Sequence, residues 1–184
     1  MININKLPYN ITRHSFISAI YFNLILKKII SLIEENKFKE ILDFGCGFGY
    51  LKKKILKKIN DIKVINYDII QELSEVKTYK NLQFECLVAN QVFYLFEKKK
   101  LNKLLIYLKN KFPNLKLIIV ISRQSFLNNN IGKFILNEKN AHKGSKLNPR
   151  LEFKILKKHC LILKRINIFF LSDIYLLSFN KKKK

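Results

Sequence analysis

Glu40-Ile41-Leu42-Asp43-Phe44-Gly45-Cys46-Gly47-Phe48-Gly49 is the stretch that decides how this chain is read. A short apolar run meets three glycines at alternate positions. A lysine-rich segment then carries Leu51, Ile55, Leu56 and Ile59 at helical spacing. The pattern predicts a strand, a tight turn and a helix. Glycines here let the backbone bend sharply and let a ligand lie against it without meeting a side chain. Three glycines also make an ordinary strand-to-helix turn, so the neighbouring residues have to decide. Asp43 ends the strand, and Asp68 ends the next strand candidate, Ile62 to Tyr67, 19 residues after Gly49. A carboxylate at that tip is placed to accept hydrogen bonds from both hydroxyls of a ribose held over the turn. Gly-x-Gly-x-Gly behind an acid differs from the Gly-x-Gly-x-x-Gly turn that faces a pyrophosphate, and the acid suits a ligand with an ammonium group instead.

Working outward, Phe16, Ile17, Ile20, Leu24, Ile25, Ile29, Leu32 and Ile33 recur every three or four residues, which predicts an amphipathic helix ended by Asn36 and Lys37. Leu87 to Phe93 is a further strand candidate, and Leu101, Leu104, Leu105 and Leu108 mark a helix after it. Phe112-Pro113-Asn114 is a turn. Leu115 to Ile121 is apolar almost throughout, as expected of a strand buried on both faces. Past Ser122 the pattern loosens until a helix predicted from Pro149 to His159. Leu161 to Phe170 and Ile174 to Phe179 then suit a terminal antiparallel hairpin. Strands alternating with helices imply a mostly parallel sheet in a three-layer α/β/α domain. At 184 residues the expectation is one domain, with residues 1–14 as an N-terminal arm and the closing Lys181 to Lys184 as a solvated tail.

With these residues in place, Ile41 to Gly49 resembles the first motif of the class I, Rossmann-like, S-adenosylmethionine-dependent methyltransferases. The resemblance implies that Asp43, Gly45, Cys46, Gly47 and Gly49 lie under the methionine part of S-adenosylmethionine and that Asp68 holds its ribose. It implies too that Asn90 and Gln91, within a stretch similar to the family's fourth-strand motif, face the methyl group. Only 16 residues separate Asp68 from Glu85, too few for a helix, a third strand and another helix. A reduced or missing third strand is therefore expected, and with it no assignable adenine-reading residue.

The formal charge of +23 would point to nucleic acid, yet it is built from 32 Lys and only 4 Arg, beside abundant Ile and Asn. Lys, Ile and Asn belong to A- and T-rich codons, so coding bias accounts for much of the charge, and Arg, the favoured phosphate and base ligand, is scarce. The family's base-methylating members often carry Asn-Pro-Pro-Tyr where this chain has Asn90-Gln91-Val92-Phe93. The expected acceptor is accordingly a small molecule or glycan, with RNA methylation or a silent cofactor-binding role as alternatives. Tyr94 and Arg123 are the candidate acceptor contacts. His142 is the candidate general base, set against the plainer reading of a surface-loop histidine. Tyr21, Phe22, Phe93 and Phe96 suit a pocket or the core. Cys46, Cys86 and Cys160 have no metal-ligand or disulfide spacing, and His14, His142 and His159 are too scattered for a metal cluster, so no metal is expected. No run reaches the ~18 apolar residues of a membrane span, and a reducing cytoplasm is the expected location.

Overall fold

A computed structural model describes residues 16–123 and 146–180. In chain order the elements are α1 (Phe16–Glu35), β1 (Glu40–Phe44), α2 (Tyr50–Leu56), β2 (Lys63–Tyr67), β3 (Cys86–Asn90), α3 (Lys98–Lys111), β4 (Lys116–Ser122), α4 (Pro149–His159), β5 (Cys160–Ile168) and β6 (Ser172–Phe179). One six-stranded sheet runs β2-β1-β3-β4-β6-β5. Its first four strands are parallel, β6 is antiparallel to β4, and β5 closes the hairpin against β6. The expected parallel sheet with a terminal antiparallel hairpin is present.

Side-chain alternation along the strands explains the two cores. On β4, Leu117, Ile119 and Ile121 pack with Leu42, Leu87 and the apolar faces of α3 and α4. Ile118 and Val120 turn the other way, toward Ile41, Val88 and the buried stripe of α1, Ile25, Ile29, Leu32 and Ile33. A strand covered on both faces must be apolar at every covered position, which is why Leu117 to Ile121 is apolar without a break and only Lys116, at the half-buried start of β4, is charged. Each such Leu or Ile withdrawn from water contributes about 1.5–3 kcal/mol. At the start of α4, the Asn148 side chain accepts from the Leu151 N–H at 2.8 Å and Pro149 occupies the first turn, so this helix begins where the sequence places it.

One strand boundary and two side-chain placements differ from expectation. The third strand candidate stops at Asn90 instead of Phe93, because Gln91 takes a left-handed φ of 57° and a 3-10 turn, Phe93–Leu95, follows. Leu56 is 48% exposed: Leu51 and Ile55 hold the inner face of the short α2, and successive residues sit about 100° apart round a helix. Ile20 likewise falls on the outer side of α1.

Between Tyr67 and Cys86 the described residues contain a 3-10 turn, Gln71–Leu73, and no strand. The third strand is thus missing there, as the short spacing implied. Glu75 takes over part of its work at the edge of β2: its N–H donates to the Asn66 carbonyl at 3.0 Å, and its carboxylate accepts from the Asn66 N–H at 3.1 Å and from Lys52 at 2.6 Å. No helix among the described residues is long and apolar enough to cross a membrane. His142, the arm up to residue 15 and residues 181–184 lie outside the described residues.

Candidate functional site

Parallel strands end together, so β1, β2, β3 and β4 present their carboxyl-terminal tips along one edge of the sheet, the edge where open α/β sheets bind ligands. The glycine loop leaves β1 at this edge. Gly45, Gly47 and Gly49 all take left-handed φ values, 74°, 51° and 68°. A Cβ at Gly45 would stand 2.6 Å from a methyl of Val92, and one at Gly49 would stand 2.6 Å from Nδ2 of Asn66. Both positions therefore require glycine for conformation and for space. The loop is pinned to the neighbouring strand, with the N–H groups of Gly45 and Cys46 donating to the Tyr67 carbonyl at 2.7 and 3.1 Å.

Asp68, at the tip of β2, is almost fully buried. One of its carboxylate oxygens accepts from the Gly47 N–H at 3.0 Å and the other from the Ile70 N–H at 3.0 Å. Each oxygen retains a second lone pair. Asp68 thus ties the tip of β2 to the middle of the glycine loop, a fixed geometry that the sequence did not disclose. Beside it Ile69 is 85% exposed, the largest exposure of any bulky apolar side chain described.

Asp43 is 3% exposed, and its Oδ2 has no hydrogen-bond partner. Burial, with the charges of Asp68 and Glu75 nearby, pushes its carboxyl up to about 7. Two more buried oxygens lack partners at this edge, Oδ1 of Asn66 and Oδ1 of Asn90. Buried polar atoms are ordinarily paired, and these three oxygens without partners stand at the strand tips round one loop. Asn66 was not singled out from sequence. Its signal is a carboxamide at a strand position that alternation turns inward. Cys46 sends its thiol to the Leu73 carbonyl at 3.4 Å, and burial, with Asp43 and Asp68 nearby, pushes it up to about 12. It is no nucleophile at neutral pH.

At the tip of β3 the side chain of Gln91 turns toward α1 and β6, with its amide 3.4 Å from the Tyr21 hydroxyl and 3.5 Å from that of Ser172. Tyr21 and Ser172 share a hydrogen bond with each other. Arg123, just past β4, commits its Nε and one terminal nitrogen to Asp173 at 2.7 and 2.8 Å. Arg165 meets the same carboxylate at 2.9 and 3.1 Å. Burial alone would raise Asp173, but the bonds from Arg123 and Arg165 bring it down to about 2. Tyr94 lies in the 3-10 turn after β3, and its carbonyl accepts from the N–H groups of Lys146 and Leu147. Burial and the nearby Glu152 raise its phenol above the ordinary value. Glu152, in the first turn of α4, is buried with Oε1 unpartnered and is pushed up to about 8 by burial. His159 meets the Asn102 side chain at 2.8 Å and belongs to the packing of α4 on α3. No cluster of three metal-ligating side chains occurs among the described residues.

The sheet order, the glycine loop and the antiparallel closing pair define the Rossmann-like fold of the class I S-adenosylmethionine-dependent methyltransferases. Among solved structures the chain is similar to human N-acetylserotonin methyltransferase in complex with S-adenosylmethionine, at TM-score 0.63 and 14% identity over 97% of this chain and 58% of that one. It is similar to the magnesium protoporphyrin IX methyltransferase of Synechocystis PCC 6803 with bound S-adenosylhomocysteine, at TM-score 0.55 and 11% identity over 94% and 92%. The methyltransferase domain of a bacterial CtHen1 matches at TM-score 0.62 and 14% identity over 86% and 100%. No protein-family model matches the sequence, and no curated protein matches it.

Proposed function

We propose that this chain is an S-adenosylmethionine-dependent methyltransferase acting on a small-molecule or glycan-type acceptor at the strand-tip edge. The observation that carries the reading is the buried, partnerless carboxyl of Asp43 beside three left-handed glycines. An ammonium within about 4–6 Å would restore its ionised form, and the methionine part of the cofactor brings one. Asn66 and Asn90 offer unpartnered acceptor oxygens on either side. Asp68 offers its second lone pairs to a ribose, and an adenine laid beyond that ribose would cover Ile69. The residues fit the cofactor.

When bound, S-adenosylmethionine supplies an electrophilic methyl group on a sulfonium. The protein's part is to hold an acceptor in line with that methyl and to exclude water. Backbone and side chains at Asn90 and Gln91 stand at the strand tip where the acceptor would approach, with Tyr94 and Arg123 flanking. A second reading, methyl transfer to RNA, draws on the +23 charge and on the structural likeness to the small RNA methyltransferase HEN1, at 16% identity and TM-score 0.63.

Calorimetric titration with S-adenosylmethionine and S-adenosylhomocysteine tests the reading. Micromolar binding that is lost in Asp43→Asn and weakened in Asp68→Ala is expected; a folded wild-type protein that binds neither ligand overturns it.

A further inference from the structure

The turn joining β5 to β6 carries two phenylalanines where the backbone asks for other residues. Phe169 and Phe170 have φ values of 46° and 57°, and the Leu171 N–H donates to the Ile168 carbonyl at 2.8 Å, the arrangement of a type I′ turn. Such turns prefer Asn-Gly, and bulky residues there are strained. Burial does not compensate for the strain: Phe169 is 62% and Phe170 74% exposed. Strain that folding does not repay is found where a ligand does.

The turn stands at the same sheet edge as the glycine loop, because β6 starts opposite the end of β4, Ser172 against Ser122. Ser172 follows Phe170 by two residues, so their Cα atoms are no more than about 7 Å apart. Ser172 is fully buried and shares its hydroxyl with Tyr21, which fixes that phenol beside the half-buried Gln91. Gln91 is itself held in a left-handed conformation directly after Asn90. The polar floor of Tyr21 and Gln91 and the exposed phenylalanine pair thus stand at one sheet edge, joined through Ser172.

Three cations described on or beside the closing strands are engaged in ion pairs. Arg123 and Arg165 are both committed to Asp173, and Lys164 to Glu35 at 2.6 Å. Two guanidinium groups share the single Asp173 carboxylate, so one positive charge is left over there, short of the several that a polyanion would need.

Building on the proposed methyltransferase reading, we infer that Phe169 and Phe170 with Tyr21 and Gln91 form the acceptor subsite, and that it takes a small molecule carrying a hydroxyl group on an aromatic ring. The ring stacks on the phenylalanine pair while the hydroxyl reaches the Tyr21–Gln91 floor.

The test titrates 4-fluorophenol by fluorine NMR, with and without S-adenosylhomocysteine, against the wild type, Phe169→Asn/Phe170→Gly and Tyr21→Phe. Asn-Gly is the preferred pair for this turn, so the double variant should fold better, with Tm rising by about 2–4 °C or more. It should keep its S-adenosylhomocysteine affinity and bind fluorophenol about two- to tenfold more weakly. Phenol should displace the probe far better than cyclohexanol, which has the hydroxyl but no ring face, and Tyr21→Phe should also weaken the probe. Equal displacement by cyclohexanol, or unchanged probe binding in the double variant, overturns the subsite. So does a single-stranded RNA oligonucleotide whose binding depends on the phenylalanine pair while fluorophenol does not bind. Absence of S-adenosylhomocysteine binding alone would sink the cofactor reading and leave the subsite to stand or fall on the probe.

Discussion

Asp43→Asn separates the carboxyl's charge from its shape. In the folded protein this group is pushed from 3.8 to about 7 by burial and by Asp68 and Glu75, so the native state holds its proton more tightly than the unfolded chain does. The sign follows: stability from this group is greatest at low pH and falls as pH rises from about 4 to about 7. At about 1.4 kcal/mol per pH unit, the cost of ionising the buried group levels off near 4 kcal/mol, with roughly 2 kcal/mol of it appearing between pH 5 and 7. An asparagine of nearly the same size has no such slope. The variant without ligand should gain on the wild type by about 4–8 °C in Tm on going from pH 5 to 7. Ligand binding should show the opposite ranking. The ionised carboxylate is the form that meets an ammonium, so wild-type affinity for S-adenosylmethionine should fall toward tenfold per unit below about pH 7. The variant should bind weakly at every pH. Scanning calorimetry and titration across this range read both effects. Parallel pH–stability curves for the two proteins, or undiminished cofactor affinity in Asp43→Asn, would refute the reasoning.

Gly49→Ala forces a side chain into a left-handed position 2.6 Å from Asn66; it should lose about 1–3 kcal/mol in denaturant unfolding and weaken S-adenosylhomocysteine binding. Asp173→Asn leaves two guanidinium groups without their shared carboxylate and should cost about 2–3 kcal/mol at neutral pH, less than a fully buried pair because both arginines are partly exposed. Asp173 sits below its ordinary value, so the wild type should lose this stabilisation as pH falls from about 4 toward about 2, a slope absent from the variant's acid unfolding curve. Glu152 is raised to about 8, so Glu152→Gln should gain stability relative to the wild type as pH climbs from about 5 to about 8, measured by the pH dependence of urea midpoints.

Much of this architecture was legible in the chain because the signals are local. Helical spacing in α1 and α3, the apolar run Leu117 to Ile121 of β4 and the alternate glycines each report a few consecutive residues and the surface they must bury. The missing third strand could also be read, since chain length sets a hard limit on what 16 residues can build. Other features were not local. The Gln91 amide stands beside Tyr21 and Ser172, which lie 70 and 81 positions away, a neighbourhood that no local pattern carries. Arg123 reads from sequence as a candidate acceptor contact, and only the pairing of β4 with β6 brings Asp173 within its reach.

The order of strands and helices and the glycine loop with its two acids can be read from the chain alone, because periodicity and backbone permissiveness are properties of neighbouring residues. Tertiary structure alone decided which polar groups are satisfied. Asp68 accepts one bond from the glycine loop and one from Ile70, and Asp173 gathers two arginines, while Asp43, Asn66 and Asn90 are left with buried, partnerless oxygens. Burial and partnership are sums over the whole chain, and no stretch of sequence carries them.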